Sequence, residues 1–346
     1  MAARSLLDSN STALGFSSEQ VIFGTTPRMA AVRRCVEKVA SAQVPVLLIG
    51  ESGTGKDVIA RYIHDASPWS SGAFVKINCP AIPGTLIESE LFGYEQGGFT
   101  GANTAKPGRV ELAENGTLFL DEISELDSSV QSKLLQILQD GKFCRIGASE
   151  DKQVDVRLVC ATNRNLEQEV NLGNFRADLF YRINVVKISL PPLRERSSDI
   201  PILVQYFLHT YNQQYNCRAK MLSARTMDRL QAYNWPGNIR ELENLVRRYV
   251  ILGTEDAISF EPTPASSTVD IEIPPDGQVS LKVLTKNAVL ELEKKIILKI
   301  LERNHGNRKK TAKALNISYR ALLYKIREVG VPSRFSSRQF VASDAD

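Results

Sequence analysis

The feature that most constrains the fold is a short apolar run that leads into a glycine-rich turn and then a helix. Residues 46–50 read Val-Leu-Leu-Ile-Gly, residues 51–57 read Glu-Ser-Gly-Thr-Gly-Lys-Asp, and residues 58–64 carry apolar residues at helical spacing. In this order the three pieces form a P-loop, whose backbone N–H groups and helix N-terminus face a phosphate. The predicted nucleotide-binding residues are Gly50, Glu51, Ser52, Gly53, Thr54, Gly55, Lys56 and Asp57.

Two positions decide how this P-loop handles phosphate and metal. Lys56 supplies a mobile cation for the outer phosphates, whereas Asp57 stands where many P-loops place a Ser or Thr that coordinates magnesium. A second apolar run, residues 116–120, ends in Asp121 and Glu122. Beside a P-loop, the first carboxylate can hold Mg²⁺ and the second can orient or deprotonate water. An ordinary acidic turn is the alternative for this pair.

Three more polar side chains follow predicted core elements. The apolar run at residues 154–161 leads to Asn163, which can touch the terminal phosphate or the attacking water at the same sheet edge. Arg176 and Arg182 lie six residues apart on a predicted helix and face about 240° apart at 100° per residue. One or both can therefore reach the nucleotide of a neighbouring subunit. Surface arginines paired with Asp178 are the alternative.

A glycine-rich stretch interrupts the helix predicted over residues 86–92. Residues 93–101 contain four glycines in nine positions, and each costs roughly 1 kcal/mol in a helix interior, so the stretch is predicted to be a loop. Its one bulky apolar residue is Phe99. Two readings stay open at this point, a partner-binding tip and a linker whose Phe99 folds back onto the core.

Composition places the chain among soluble cytoplasmic proteins. Of 346 residues, 43% are hydrophobic and 24% charged, and there is neither an apolar run of 18 residues nor a secretory signal. Five cysteines without a Cys-x-x-Cys pair are expected to be reduced and buried. The three histidines lie far apart, which argues against a histidine metal site or a histidine-activated nucleophile.

Composition shifts along the chain predict several regions. Spacing predicts helices over residues 29–42, 201–211 and 224–245, and strands over 46–50, 73–78, 116–121 and 154–161. The predicted regions are a flexible segment 1–20, an α/β ATPase subdomain 21–192, an α-helical lid 193–258, a proline-containing linker 259–280, an all-α DNA-binding domain 281–332 and a tail 333–346.

The C-terminal region is predicted to bind DNA. Residues 281–346 hold fifteen Lys and Arg against six Asp and Glu, although the whole chain carries only +4. A long helix, residues 281–303, has two apolar stripes that suggest dimerisation. After it, residues 306–315 and a helix capped by Ser318 form a helix-turn-helix, with a basic surface hairpin as the alternative. The predicted DNA contacts are Lys310, Ser318, Tyr319, Arg320, Tyr324 and Lys325.

The order of these motifs resembles that of the bacterial sigma-54-dependent transcription activators, a branch of the AAA+ ATPases. The resemblance covers about residues 21–330. Its most specific mark is the glycine-rich loop, which is similar to the Gly-Ala-Phe-Thr-Gly-Ala signature that contacts the sigma factor. The residues that carry this mark are Gly97, Gly98, Phe99, Thr100, Gly101 and Ala102.

The resemblance implies a role for each polar residue at the predicted site. Asn78 would couple the catalytic Glu122 to the loop, and Asn163 would be sensor I. Arg176 and Arg182 would be arginine fingers, and Arg240, in the first turn after Trp-Pro-Gly, would be sensor II. The family implies ATP and Mg²⁺ as cofactors, a ring oligomer, typically a hexamer, a Fis-type DNA-binding dimer, an upstream DNA site and remodelling of a closed sigma-54 RNA polymerase promoter complex.

Two departures from the family pattern shape the expectations. Gly98 replaces the signature Ala, and a methyl group at that position is expected to change little. No receiver or GAF domain fits into residues 1–20, which suggests control by the protein's own synthesis or by a separate regulatory protein. The alternatives are an AAA+ regulator that uses ATP only for assembly, without sigma-54 contact, and a DNA-binding repressor with an inert core.

Overall fold

The computed structural model describes residues 18–99, 102–255, 258, 307–315, 319 and 322–324. The strands of this part are β1 Val46–Ile49, β2 Phe74–Asn78, β3 Gly93–Tyr94, β4 Lys106–Pro107, β5 Thr117–Asp121, β6 Lys142–Phe143, β7 Lys152–Gln153, β8 Arg157–Thr162 and β9 Val186–Ser189. Its α-helices are α1 Ser18–Phe23, α2 Pro27–Ala40, α3 Lys56–Asp65, α4 Gly84–Phe92, α5 Arg109–Leu112, α6 Ser128–Asp140, α7 Leu166–Asn171, α8 Ala177–Ile183, α9 Ile200–Tyr215, α10 Ala224–Ala232, α11 Asn238–Leu252 and α12 Arg308–Ala314.

Five strands form one parallel sheet in the order β2-β5-β8-β1-β9. The register pairs Asn78 with Asp121 and Asp121 with Ala161, so the carboxyl ends of three neighbouring strands reach the same edge. Functional side chains that follow these strands are therefore brought together. The predicted α/β fold with a parallel sheet is confirmed.

Helices cover both faces of this sheet, which explains why its central strands are nearly continuous apolar runs. Leu47 points to the face packed by α4, α6 and α8, whereas its neighbours Val46 and Leu48 pack with α2 and α3 on the opposite face. The last predicted strand is shorter than expected. Val154 is buried, but its N–H donates to the Gly141 carbonyl, and β8 begins only at Arg157.

A helical lid follows the sheet and has its own core. Helices α9, α10 and α11 pack around the fully buried Trp235, whose indole N–H donates to the Leu230 carbonyl at 2.7 Å. The predicted helical stretch 224–245 is interrupted at Trp-Pro-Gly, where the sequence predicts a turn and a new helix start. Trp235 has a left-handed backbone with φ 48°, and α10 and α11 are separate helices joined by residues 233–237.

The boundary of the predicted flexible N-terminal segment is also wrong. Helix α1 begins at Ser18, inside the predicted segment 1–20. The described part of that segment makes side-chain hydrogen bonds to the rest of the chain. The Glu19 carboxylate accepts from Arg33 Nη2 at 2.6 Å and from the Tyr62 hydroxyl at 3.3 Å.

The cysteine expectation holds only in part. All five thiols are free, but only Cys79 and Cys160 are buried, while Cys35, Cys144 and Cys217 are partly exposed. Burial raises the pKa of the Cys79 thiol to about 12. No helix among the described residues is long and apolar enough to span a membrane.

The chain divides into two units, Met1–Phe260 and Glu261–Asp346. In the second unit, the predicted first helix of the helix-turn-helix is present as α12, with Thr311 and Ala312 buried. The described residues of the predicted last helix, Tyr319 and 322–324, are helical, and Leu322 is fully buried. The predicted linker 259–280, the predicted helix 281–303 and the predicted tail 333–346 lie outside the described residues.

Candidate active site

The P-loop joins β1 to α3 and folds as its glycines require. Gly53 and Gly55 adopt φ values of 78° and 96°, a left-handed region that residues with a Cβ rarely enter. Lys56 opens α3 and is almost fully buried. Its Nζ donates to the Gly50 carbonyl at 2.8 Å and lies 3.3 Å from Glu122 Oε1. The predicted phosphate lysine and the predicted catalytic carboxylate therefore meet.

Glu122 is held in a defined position at the end of β5. Its backbone is left-handed, with φ and ψ both 57°, and its Oε2 accepts from the Asn163 backbone N–H at 2.9 Å. Such a conformation in a non-glycine residue costs free energy and often marks a functional site. Asn163 therefore contacts Glu122 through its backbone, while the predicted role of its side chain stays a prediction.

Asn78 ends β2 and lies beside the end of β5, which carries the acidic pair. Its register partner is Asp121, and it makes no hydrogen bond to Glu122 in this part of the structure. The predicted coupling of Asn78 to Glu122 therefore stays a prediction.

Asp121, the predicted metal residue, lies near Asp57 of the P-loop, and one lysine contacts both carboxylates. Lys76 Nζ lies 3.3 Å from Asp57 Oδ2 and 3.6 Å from Asp121 Oδ2. Within the described ranges, no group of three or more His, Cys, Asp and Glu residues could hold a metal. Mg²⁺ is commonly bound by one or two carboxylates, several waters and substrate phosphates, so this donor set fits Mg²⁺ bound together with a nucleotide.

The lid contacts four consecutive residues of the P-loop. Arg194 donates to both oxygens of Glu51 at 2.9 and 2.6 Å, and these bonds with one from Asn238 lower the pKa of the Glu51 carboxyl. The other contacts are Asn238 Nδ2 to the Ser52 carbonyl at 3.0 Å, Arg240 Nη1 to Ser52 Oγ at 3.0 Å, the Ile239 N–H to the Gly53 carbonyl at 2.9 Å and Arg196 Nη2 to the Thr54 carbonyl at 2.9 Å. The predicted position of Arg240 at the nucleotide site is thus supported.

An apolar cleft of about 420 Å³ opens beside the P-loop. It borders Gly53, Thr54, Gly55 and Asp57, and Arg240 lies at its edge. The residues that line it and that sequence reasoning missed include Val21, Ile22, Leu203, Tyr206, Phe207 and Ile239. An apolar cleft next to a phosphate-binding loop suits the base of a nucleotide.

Neither predicted arginine finger makes a hydrogen bond or ion pair with the P-loop among the described residues. Arg176 is not on a helix as predicted but is the extended residue before α8, since its N–H donates to Gln131 Oε1 at 2.8 Å. Its guanidinium pairs with Asp178 at 2.7 Å. Arg182, on α8, donates from Nε and Nη2 to the Leu138 carbonyl at 3.1 and 2.9 Å.

The glycine-rich stretch forms a loop that the short β3–β4 pair closes at its base. Phe99 is 42% exposed and its ring meets that of Tyr94 edge-on at 4.9 Å. The Gly97 N–H donates to the Ala102 carbonyl at 2.9 Å. Phe99 therefore rests on Tyr94 at the loop rather than in the core. Thr100 and Gly101 lie outside the described residues.

This loop packs against a second one, residues 144–151, between β6 and β7. Arg145 donates to both oxygens of Glu111 at 2.7 and 2.6 Å and to Glu95 Oε1 at 3.0 Å. Although burial raises the pKa of Glu111, the bonds from Arg145 and Lys152 bring it to about 2. The two loops are thus joined by an ionised cluster.

The two loops approach each other closely at Gly98. A Cβ at this residue would lie 2.6 Å from the Ile146 carbonyl oxygen, and a Cβ at Gly147 would lie 2.4 Å from Gly98 Cα. The Ile146 carbonyl also accepts from the Glu95 N–H at 3.0 Å. A methyl group at position 98 would therefore force backbone atoms of the two loops to move apart, while the expected effect of Gly98→Ala on activation stays a prediction.

Gly98→Ala should loosen the contact between the loops. Overpacking of this kind costs about 1–3 kcal/mol, so amide hydrogen exchange in residues 93–103 should be roughly tenfold faster than in the parent. Gly84→Ala is the matched control, since nothing lies within 4 Å of a Cβ there. Unchanged exchange in Gly98→Ala would show that the loops tolerate the methyl group.

Three of the predicted DNA contacts lie among the described residues, and all three are exposed. Lys310 is on α12, and Tyr319 and Tyr324 are 43% and 69% exposed. Ser318, Arg320 and Lys325 lie outside the described residues. The DNA-binding assignment of all six stays a prediction.

A parallel sheet, a P-loop, an acidic strand end and a lid bonded to the P-loop define a P-loop ATPase of the AAA+ class. Family models match three parts of the chain. They are the sigma-54 interaction domain over residues 22–189, the AAA+ ATPase lid domain over residues 194–269 and the bacterial regulatory protein, Fis family, over residues 289–328.

Individual relatives agree with these matches. The chain is 43% identical to the regulatory protein AtoC of Escherichia coli K12 over 316 residues, which is 90% of this chain and 68% of the relative. It is 40% identical to the DNA-binding transcriptional regulator NtrC of the same strain over 331 residues, covering 90% and 70%. Crystal structures of NtrX from Brucella abortus with ADP and with ATP share 32% identity, with TM-scores of 0.66 and 0.65, covering 89% of this chain and 68% of theirs.

The chain therefore belongs to the sigma-54-dependent transcription activators, with an AAA+ ATPase domain and a Fis-type DNA-binding domain. The recognition made from the glycine-rich loop and the helix-turn-helix is confirmed.

Proposed function

We propose that this chain hydrolyses ATP between the subunits of a ring and uses the loop at Phe99 to remodel a closed sigma-54 RNA polymerase promoter complex into an open one. One observation supports the proposal. Phe99 lies partly exposed on a loop, and the same unit of the chain brings Lys56, Glu122 and Asn163 together. The Fis-type segment would bind an upstream DNA site and so raise the local concentration of the activator near the promoter.

The geometry supports a defined division of labour during hydrolysis. Lys56 would bind the outer phosphates in place of the carbonyls and the carboxylate that it now contacts. Glu122, fixed by the Asn163 N–H, would orient the attacking water and accept its proton. Asp121 with Asp57 would hold Mg²⁺, which neutralises charge on the phosphates when bound. Arg176 and Arg182 would stabilise the developing charge from the next subunit.

Open-complex formation tests this function directly. With purified sigma-54 RNA polymerase and promoter DNA, the chain should produce a permanganate-reactive melted region with ATP but not with a non-hydrolysable analogue. Lys56→Ala should lose this activity because the outer phosphates lose their cation. ATP hydrolysis without any melting would instead favour a regulator that uses ATP without sigma-54 contact.

A further inference from the structure

Lys76 occupies an unexpected place beside the acidic residues of the site. It lies on β2, two residues before Asn78, so the two side chains leave the strand on the same face. Its ammonium lies 3.3 Å from Asp57 Oδ2, 3.6 Å from Asp121 Oδ2 and 5.6 Å from the centre of the Phe119 ring. Lys76 is thus a cation that lies between Asp57 of the P-loop helix and Asp121, the predicted metal residue.

The two lysines of the site serve different carboxylates. Lys56 donates to the Gly50 carbonyl and forms an ion pair with Glu122. Among the described residues, no contact below 4.0 Å joins Lys56 to Asp121. Among the described residues, the ammonium within 4.0 Å of Asp121 is therefore that of Lys76 and not that of Lys56.

The alternative is that Lys76 and Asp57 form an ordinary surface ion pair with no role in nucleotide or metal binding, since their side chains are 41% and 53% exposed. The position of the ammonium argues against it. The Lys76 ammonium lies between the Asp57 and Asp121 carboxylates. A divalent cation that bound both carboxylates next to the phosphates would have to occupy the same place.

We propose that Lys76 is a positioning residue that competes with Mg²⁺ for Asp121 and Asp57 and supplies positive charge when a nucleotide binds without metal. This inference rests on the proposed function, in which Asp121 and Asp57 hold Mg²⁺. It has two opposite consequences. Removing the ammonium makes the carboxylates more available to a divalent ion, but it also removes an attraction for phosphate.

The test measures binding of a fluorescent ADP, first in EDTA and then over a Mg²⁺ titration. In Lys76→Met, the Mg²⁺ concentration for half-maximal enhancement of binding should fall by roughly three- to tenfold, and ADP binding in EDTA should weaken by a similar factor. Lys76→Arg should resemble the parent because it keeps the charge. Lys76→Gln, which is polar and uncharged, should behave like Lys76→Met.

Lys133→Met is the matched control, because Lys133 also pairs with a carboxylate, Glu88 at 2.8 Å, and lies 5.5 Å from the Phe92 ring. Asp121→Asn separates this inference from the proposed function. If Asp121→Asn weakens the Mg²⁺ effect but Lys76→Met and Lys76→Gln leave it unchanged, the inference is wrong and the metal site stands. If Asp121→Asn has no effect, the metal assignment is wrong and the inference falls with it.

Discussion

Removal of the Arg182 guanidinium should slow ATP turnover by about 10³-fold while ADP binding in the same subunit changes little. Arg182 is exposed and donates to the Leu138 carbonyl of α6, and among the described residues no hydrogen bond or ion pair joins it to the P-loop. An arginine there can stabilise the developing phosphate charge only in a neighbouring subunit. Arg176→Ala should act similarly unless its pair with Asp178 persists in the ring.

Mixing two inactive variants tests whether the arginine acts across subunits. Arg182→Ala subunits keep Lys56, and Lys56→Ala subunits keep Arg182, so a mixture should recover part of the ATPase activity that neither variant shows alone. Arg248→Ala, an exposed arginine on the lid helix α11, should leave turnover within about twofold of the parent. Concentration-independent activity in a monomeric sample would contradict action in trans.

Phe99→Ala should abolish ATP-driven open-complex formation while ATP hydrolysis continues. The aromatic ring stands on Tyr94, 42% exposed, and is well placed to fill a pocket on the sigma factor. Loss of an aromatic anchor typically costs 2 kcal/mol or more, so capture of sigma-54 in the presence of a transition-state mimic of ATP should weaken by at least about 30-fold. Nucleotide affinity should change little, because the Phe99 ring packs on Tyr94 and its loop is remote in sequence from Lys56.

Met221→Ala provides the control for Phe99, since Met221 is a bulky lid side chain that is 50% exposed. Sigma-54 capture by this variant should match that of the parent. Thr100→Ala is expected to fail in the same assays as Phe99→Ala. If Phe99→Ala captured sigma-54 normally, the loop would not be the contact surface and the assembly-only alternative would be favoured.

The parts of the site predicted from sequence are those that local pattern encodes. The P-loop follows from glycine spacing after an apolar run, and the Asp121-Glu122 pair follows from the end of a second run. Both runs are buried strands because helices cover each face of the sheet. The loop at Phe99 was predicted because four glycines in nine residues oppose a helix.

The parts that were missed depend on contacts between distant residues. Arg194 and Asn238 meet Glu51 across 143 and 187 residues of sequence, and no local pattern indicates such pairs. Lys76 looks like an ordinary exposed position in an alternating strand. The tight contact at Gly98 depends on a second loop whose position follows only from the β6–β7 pair and Arg145. Arg176 precedes the helix on which it was predicted, because its backbone N–H donates to Gln131 Oε1.

The bonds from the lid to Glu51, Ser52, Gly53 and Thr54 have a thermodynamic consequence. Because the loop that cradles phosphate is also the surface on which the lid rests, nucleotide affinity and lid position are linked variables. Linkage is reciprocal, so the factor by which the seated lid changes ATP affinity equals the factor by which ATP changes the equilibrium between the seated and the displaced lid. Any partner that displaces the lid therefore changes the affinity of the P-loop for nucleotide by that same factor.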